Sequence, residues 1–137
     1  MMKQLDYAAL HAEYATFHRT RGNRRCHSVG IPLIVYAVTA WSRVGSPLPL
    51  AALLLPLYFR WDGRVGLLMT AFIGACAGLA SVLPGWAAWA AFIVGWGFQL
   101  VGHEVYEKNR PALLGNLVHA LVGPAFIAGE LAGLRRR

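Results

Sequence analysis

Negative charge is scarce in this sequence. Six aspartates and glutamates stand against thirteen lysines and arginines in 137 residues. Charge of either sign is missing from 26–42, 44–59, 65–103 and 111–129. Charged residues make up 14% of the chain and hydrophobic ones 57%, with a mean hydropathy of +0.47, whereas soluble domains carry about 25% charge. A 15.0 kDa chain has too little interior to hide so much apolar surface, which excludes an ordinary soluble globule. Cysteine is nearly absent too. Cys26 and Cys76 are too few for a disulfide framework, and each reads as a small buried thiol. The N-terminal "MMKQLDYAALHAEYATFHRTRGN" has no apolar core and no small-residue cleavage site, so no signal peptide is expected.

What is present is apolar sequence in blocks of membrane size. Crossing hydrocarbon takes about 17–25 apolar residues per helix, and Pro84-Gly85 divides the longest uncharged window into 65–83 and 86–102. Further apolar segments lie at 28–42, 48–59 and 112–132. The second holds Pro47, Pro49 and Pro56 and is expected to be kinked or partly inserted. Residues 4–20 read as an amphipathic helix, with Tyr7, His11, Tyr14 and His18 in one stripe, stopped at Gly22-Asn23. The arginines around 19–25 and the connectors "RWDGR" and "HEVYEKNR" fall on one side by the positive-inside rule. The expected fold is an all-α integral membrane helical bundle. It has about four spanning helices, an N-terminal amphipathic helix and a C-terminal partly inserted helix stacked on protein. We treat 1–137 as a single membrane domain: a cytoplasmic amphipathic segment 1–26, the bundle 27–134 and a basic tail 135–137. A net charge of +7 and pI near 10.1 come without a basic-aromatic module, so nucleic acid is not an expected partner. The arginines instead meet anionic headgroups.

This topology gathers His11, His18, His27, His103 and His119 at the cytoplasmic face. On a regular helix Gln99, His103 and Glu107 form a polar column at i, i+4 and i+8, and Gly95, Gly97 and Gly102 let a neighbouring backbone approach. Three imidazoles and a carboxylate match the two-histidine-one-carboxylate face of non-haem iron sites, with a further ligand to spare. Plainer readings stand beside this one. Glu104 and Lys108 have the spacing of an exposed helix pair, and Glu107 is placed to pair with Arg110. Arg110-Pro111 is a good helix start. His11 reads as packing, and His119 as a partner of Asn116.

"FHRTRGNRRCHSVGIPLI" resembles the first motif of the Mpo-like family of small membrane proteins. "GWGFQLVGHEVYEKNRPALLGNL" resembles its second, and "GPAFIAGE" its closing one. The resemblance implies a non-haem Fe(II) dioxygenase, with O2 as co-substrate, that shortens 2-hydroxy fatty acids by one carbon. It implies that His18, His27 and His103 serve the iron, with Glu107, Asn23 and Gln99 as ligand or supporting shell. Accordingly His18, His27, His103 and Glu107 are expected to be the metal-binding and catalytic set. Asn23, Arg24, Gln99 and Arg110 are expected to bind the substrate, the arginine cluster drawing in its carboxylate. His119 stands where some relatives have Gln, which argues against its being a required ligand. The expected setting is a bacterial inner membrane with the site facing the cytoplasm, and a homo-oligomer stays open. The alternative is a non-enzymatic lipid-binding or scaffold protein with a structural metal. A di-iron desaturase is rejected for want of HxxxH and HxxHH clusters, and a bis-histidine haem carrier for want of facing histidines deep in the membrane.

Overall fold

A computed structural model describes residues 6–43, 49–109 and 118–133, all helix and connector, with no strand among the described residues. The helices are α1 (Tyr7–Thr16), α2 (Arg21–Trp41), α3 (Leu55–Trp61), α4 (Gly63–Val82), α5 (Trp86–Val101) and α6 (His119–Leu131). A 3₁₀ turn, Leu50–Leu54, leads into α3, and a π-helical turn, Gly102–Glu107, prolongs α5. Arg110, Pro111, Asn116 and the basic tail lie outside the described residues.

Helix ends follow local chemistry. The Asp6 carboxylate accepts from the Ala8 amide at the head of α1, and Asp62 accepts from the Arg64 amide at 2.8 Å at the head of α4. Both are ordinary N-caps. The proline-rich stretch breaks into the 3₁₀ turn and short α3, as its sequence predicts, and Pro84-Gly85 does separate α4 from α5. The N-terminal helix is shorter than its stripe suggests. It ends at Thr16, and Gly22 and Asn23 lie in the first turn of α2 rather than at a helix stop. The reason is Thr20, whose hydroxyl caps α2 by accepting from the Asn23 amide at 3.3 Å. Helix α2 therefore runs straight through the 26–27 boundary.

Helix α2 is the hub, packing against α4, α5, α6 and the π-helical turn, while α1 lies on α6. The closest approach is between α2 and α5. A Cβ on Gly30 would lie 2.7 Å from the Gly95 carbonyl oxygen, and one on Gly95 2.8 Å from that of Gly30. Backbone meets backbone there, so neither side can yield. Gly30→Ala and Gly95→Ala should each cost about 1–3 kcal/mol, the range of an overpacked core. Gly97 faces open space, so Gly97→Ala should be neutral or stabilise by up to about 1 kcal/mol through helix propensity. Thermal unfolding of the three variants in detergent measures this.

Among the described residues, one helix, Gly63–Val82, is long and apolar enough to cross a membrane. The other expected spans fall short for identifiable reasons. The first turns of α2 carry Arg21, Arg24 and Arg25, α5 has 16 residues, and α3 has only seven. Helix α6 is covered by protein over much of its surface, with Val122, Gly123, Phe126 and Ile127 buried and the Tyr58 hydroxyl donating to the Leu121 carbonyl at 2.8 Å.

Candidate metal centre

Most buried side chains are apolar, as burial without a partner penalises polar groups. Seven polar exceptions occur among the described residues: His18, Asn23, His27, Thr39, Gln99, His103 and His119. Three of them, His18, His27 and His103, are at most 2% exposed and present ligand atoms all within 4.8 Å of one another. They come from the α1–α2 corner, the second turn of α2 and the π-helical turn, so 85 residues of sequence close on one point.

Each ring is held by a carbonyl-type oxygen. His18 Nδ1 lies 2.7 Å from the Tyr14 carbonyl, His27 Nδ1 2.9 Å from the Asn23 carbonyl, and His103 Nδ1 3.0 Å from Asn109 Oδ1. Such oxygens only accept, so all three Nδ1 atoms carry protons and donate. The lone pairs are then on Nε2, and those of His18 and His27 face each other at 3.0 Å. Two neutral imidazoles with both lone pairs turned inward repel. A cation between them turns that repulsion into ligation, and the oxygens behind the rings are what metal-bound histidines usually have. Three neutral imidazoles suit iron, zinc, copper or nickel. The donor set fits a divalent transition metal.

Burial, first of all, drives the His18 pKa down to about 4, with His103 and Arg24 adding to it and the Tyr14 carbonyl and the Glu107 charge opposing. His18 is thus neutral near pH 7 and ready to ligate. In the metal-free protein the folded state resists a proton that the unfolded chain takes near pH 6.5. Stability should therefore fall as pH drops below 6.5, by about 2 kcal/mol at pH 5 for a shift of this size. Thermal unfolding at pH 7.5 and pH 5 after metal chelation checks the sign.

Glu107 is not part of the imidazole cluster. Its Oε1 accepts from the Arg19 amide at 2.7 Å, and its Oε2 accepts from the Thr20 amide at 2.9 Å, the Thr20 hydroxyl at 2.8 Å and Asn23 Nδ2 at 3.3 Å. Partial burial raises its pKa, but these donors outweigh it and hold the carboxyl at about 2. The physical reason it leaves the polar column is the π-helical turn. Wider winding, with the Lys108 amide bonding to the His103 carbonyl, breaks the α-helical register on which i+4 alignment depends. Lys108 then adopts a left-handed conformation, φ 54°, that swings Asn109 back under His103. The same distortion removes the expected Glu104–Lys108 pair; no ion pair joins them among the described residues.

The other expected site residues divide. Gln99 lines a cavity of about 130 Å³ with His18, His27 and His103, its Nε2 buried and without a partner. Asn23 is fully buried but spends its amide on the Phe17 carbonyl at 3.1 Å and on Glu107. The Arg24 guanidinium donates to the His18 carbonyl at 2.7 Å and lies 3.5 Å from Glu130, away from that cavity. Arg110 is outside the described residues. His11 packs against Phe126, ring centroids 4.7 Å apart. His119, with Asn116 outside the described residues, lines the cavity. Asn109, Thr20 and the Tyr14 carbonyl escaped the sequence reading. Asn109 sits six residues past His103, a spacing that only the π-helical turn makes a contact, and a backbone carbonyl has no signature in sequence at all.

With this geometry in place, the family can be stated. Residues 4–134 match the family model described as 2-hydroxy-palmitic acid dioxygenase Mpo1-like, and the chain belongs to that family. The 2-hydroxy-palmitic acid dioxygenase MPO1 of Saccharomyces cerevisiae is 60% identical over 40 residues, which are 28% of this chain and 23% of the yeast protein. The match thus spans less than a quarter of that curated relative. No solved structure matches the chain.

Proposed function

We propose that this protein is an Fe(II)-dependent dioxygenase that shortens 2-hydroxy fatty acids by one carbon at a membrane surface. The carrying observation is the trio of buried imidazoles with inward Nε2 lone pairs lining a cavity whose walls also include Ile31, Ile34, Val35 and Trp96. A polar head beside a metal and a tail among apolar side chains is how such a substrate divides. The family description and the yeast relative's name favour this substrate class.

His18, His27 and His103 would hold the iron, which when bound supplies the redox partnership with O2. The protein's own residues do the rest. The Tyr14 and Asn23 carbonyls and Asn109 fix the rings, and the partnerless Gln99 amide donates to the substrate carboxylate. Glu107 and Arg24 enter as clamps on the α1–α2 corner, the first through the Arg19 and Thr20 amides, the second through the His18 carbonyl. A 2-hydroxy acid and one O2 balance to the shortened acid, CO2 and water, so no external reductant is needed. The membrane setting is supported by Leu67, Leu79, Trp86, Trp89, Ile93 and Leu100, large apolar side chains left exposed along α4 and α5, as surfaces that meet lipid are. The positive-inside rule assigns the site to the cytoplasmic side.

Elemental analysis of anaerobically purified protein, followed by O2 uptake with 2-hydroxypalmitate, tests the reading. About one iron per chain and uptake matched to pentadecanoate formation are expected. Bound metal without any uptake would favour the scaffold reading instead.

A further inference from the structure

His119 is the buried polar group that the site has not yet used. The residue is 2% exposed, its ring lines the cavity of the three histidines, and neither ring nitrogen has a hydrogen-bond partner among the described residues. A buried nitrogen left without a partner costs about 1–3 kcal/mol, and such a cost persists where a ligand later removes it. One nitrogen does have a charge nearby. Nε2 lies 3.3 Å from Glu13 Oε1, off the direction of a hydrogen bond but well inside the carboxylate's field. Glu13, on α1, is half exposed, so the pair joins solvent to the cavity wall.

We propose that Glu13 and His119 form a substrate-positioning pair in which His119 Nδ1 accepts a hydrogen bond from the 2-hydroxyl of the fatty acid. A negative oxygen beside Nε2 favours the tautomer with its proton there, as a carboxylate behind a working histidine commonly does. That leaves the lone pair on Nδ1 for the cavity. A lone pair needs a donor, and the ionised carboxylate of a fatty acid has none, whereas its 2-hydroxyl does. Gln99 Nε2, the other partnerless nitrogen of this cavity, is the reverse case: it only donates, and it needs the carboxylate. An acceptor and a donor lining one cavity match the hydroxyl and carboxylate on adjacent carbons of a 2-hydroxy acid. A plain fatty acid would satisfy one and strand the other, and a site that strands a buried polar group rejects the analogue. The pair is thus the element that tells a 2-hydroxy acid from its unsubstituted counterpart. This rests on the function proposed above.

The test is calorimetric binding to iron-loaded protein without O2, so that no turnover occurs, using 2-hydroxypalmitate and palmitate as the two probes. Wild type should bind the hydroxy acid at least tenfold more tightly. His119→Leu should lower that ratio at least fivefold, leaving iron content and palmitate affinity within twofold of wild type. His119→Gln, whose amide oxygen accepts from the same hydroxyl, should recover at least half of the lost preference. Glu13→Gln, acting through the ring, should lower the ratio two- to threefold. If His119→Leu keeps the wild-type ratio, or weakens both acids equally, the pair has no part in discrimination and the inference falls while the dioxygenase reading stands. If wild-type protein binds the two acids alike, there is no preference for the pair to supply and the inference falls, while O2 uptake with 2-hydroxypalmitate remains the separate test of the dioxygenase reading.

Discussion

Replacing His103 with alanine should abolish metal retention, from about one ion per chain to below a tenth, and cut turnover of 2-hydroxypalmitate by more than a hundredfold. His18→Ala and His27→Ala should do the same. The three imidazoles are the whole of the described cluster, and each is oriented by its own oxygen at 2.7–3.0 Å. Among the described residues no carboxylate joins the cluster to replace a lost ring, and Glu107 is committed to the α1–α2 corner. A thermal shift isolates metal from chemistry. A ligand at a thousand times its dissociation constant stabilises a fold by about 4 kcal/mol, so added Fe(II) should raise the melting temperature of wild type and leave the three variants where they were. His11→Ala, which alters ring packing against Phe126 rather than the cluster, should keep its metal. Full metal content in His103→Ala would mean that the convergent lone pairs are not the binding site.

The second large effect is expected at Glu107, and it distinguishes a clamp from a ligand. Four donors converge on this carboxylate, two of them the Arg19 and Thr20 amides. Hydrogen bonds to a charged group are worth about 1.5–3 kcal/mol each when sheltered, and the partial exposure of this corner reduces that. Glu107→Ala should therefore destabilise the protein by about 2–4 kcal/mol even after the metal is chelated away. A pure metal ligand would show no loss in the chelated protein. The His18 ring hangs from the same corner, so metal affinity should fall by about 10–100-fold, the usual penalty for losing an outer support, rather than vanish. Acid should mimic the mutation. The folded pKa lies near 2, below the ordinary 4.5, so the clamp is intact above pH 4.5 and loosens as pH falls from there towards 2.

How far this could be foreseen varies residue by residue. The meeting of His18, His27 and His103 was legible because a bundle that returns its charged connectors to one side brings together the motifs that flank them. Gly95 was legible as a close-packing glycine, but its partner Gly30 was not, since contact between two helices depends on their crossing point. Gly97 has the same type and spacing and faces open space. Glu107 misled for a reason of winding. Counting by fours presumes an α-helix, and nothing in "GHEVYEKN" announces the wider turn that carries the carboxylate away from the imidazole cluster and brings Asn109 in. Helix α2 misled in the opposite sense, because Gly-Asn resembles a stop until Thr20 and a glutamate 87 positions away turn it into a start.

Composition and periodicity alone determined that this chain is helical, apolar beyond what a soluble domain tolerates, and supplied with histidines beside its basic connectors. Those properties are sums over local residues and survive any arrangement of the helices. Tertiary structure decided which nitrogen of each clustered imidazole bears the proton, which carboxylate stands back as a clamp, and which further histidine lines the cavity without a hydrogen-bond partner among the described residues. These depend on distances of about 3 Å between residues dozens of positions apart, and such distances exist only once the helices have packed.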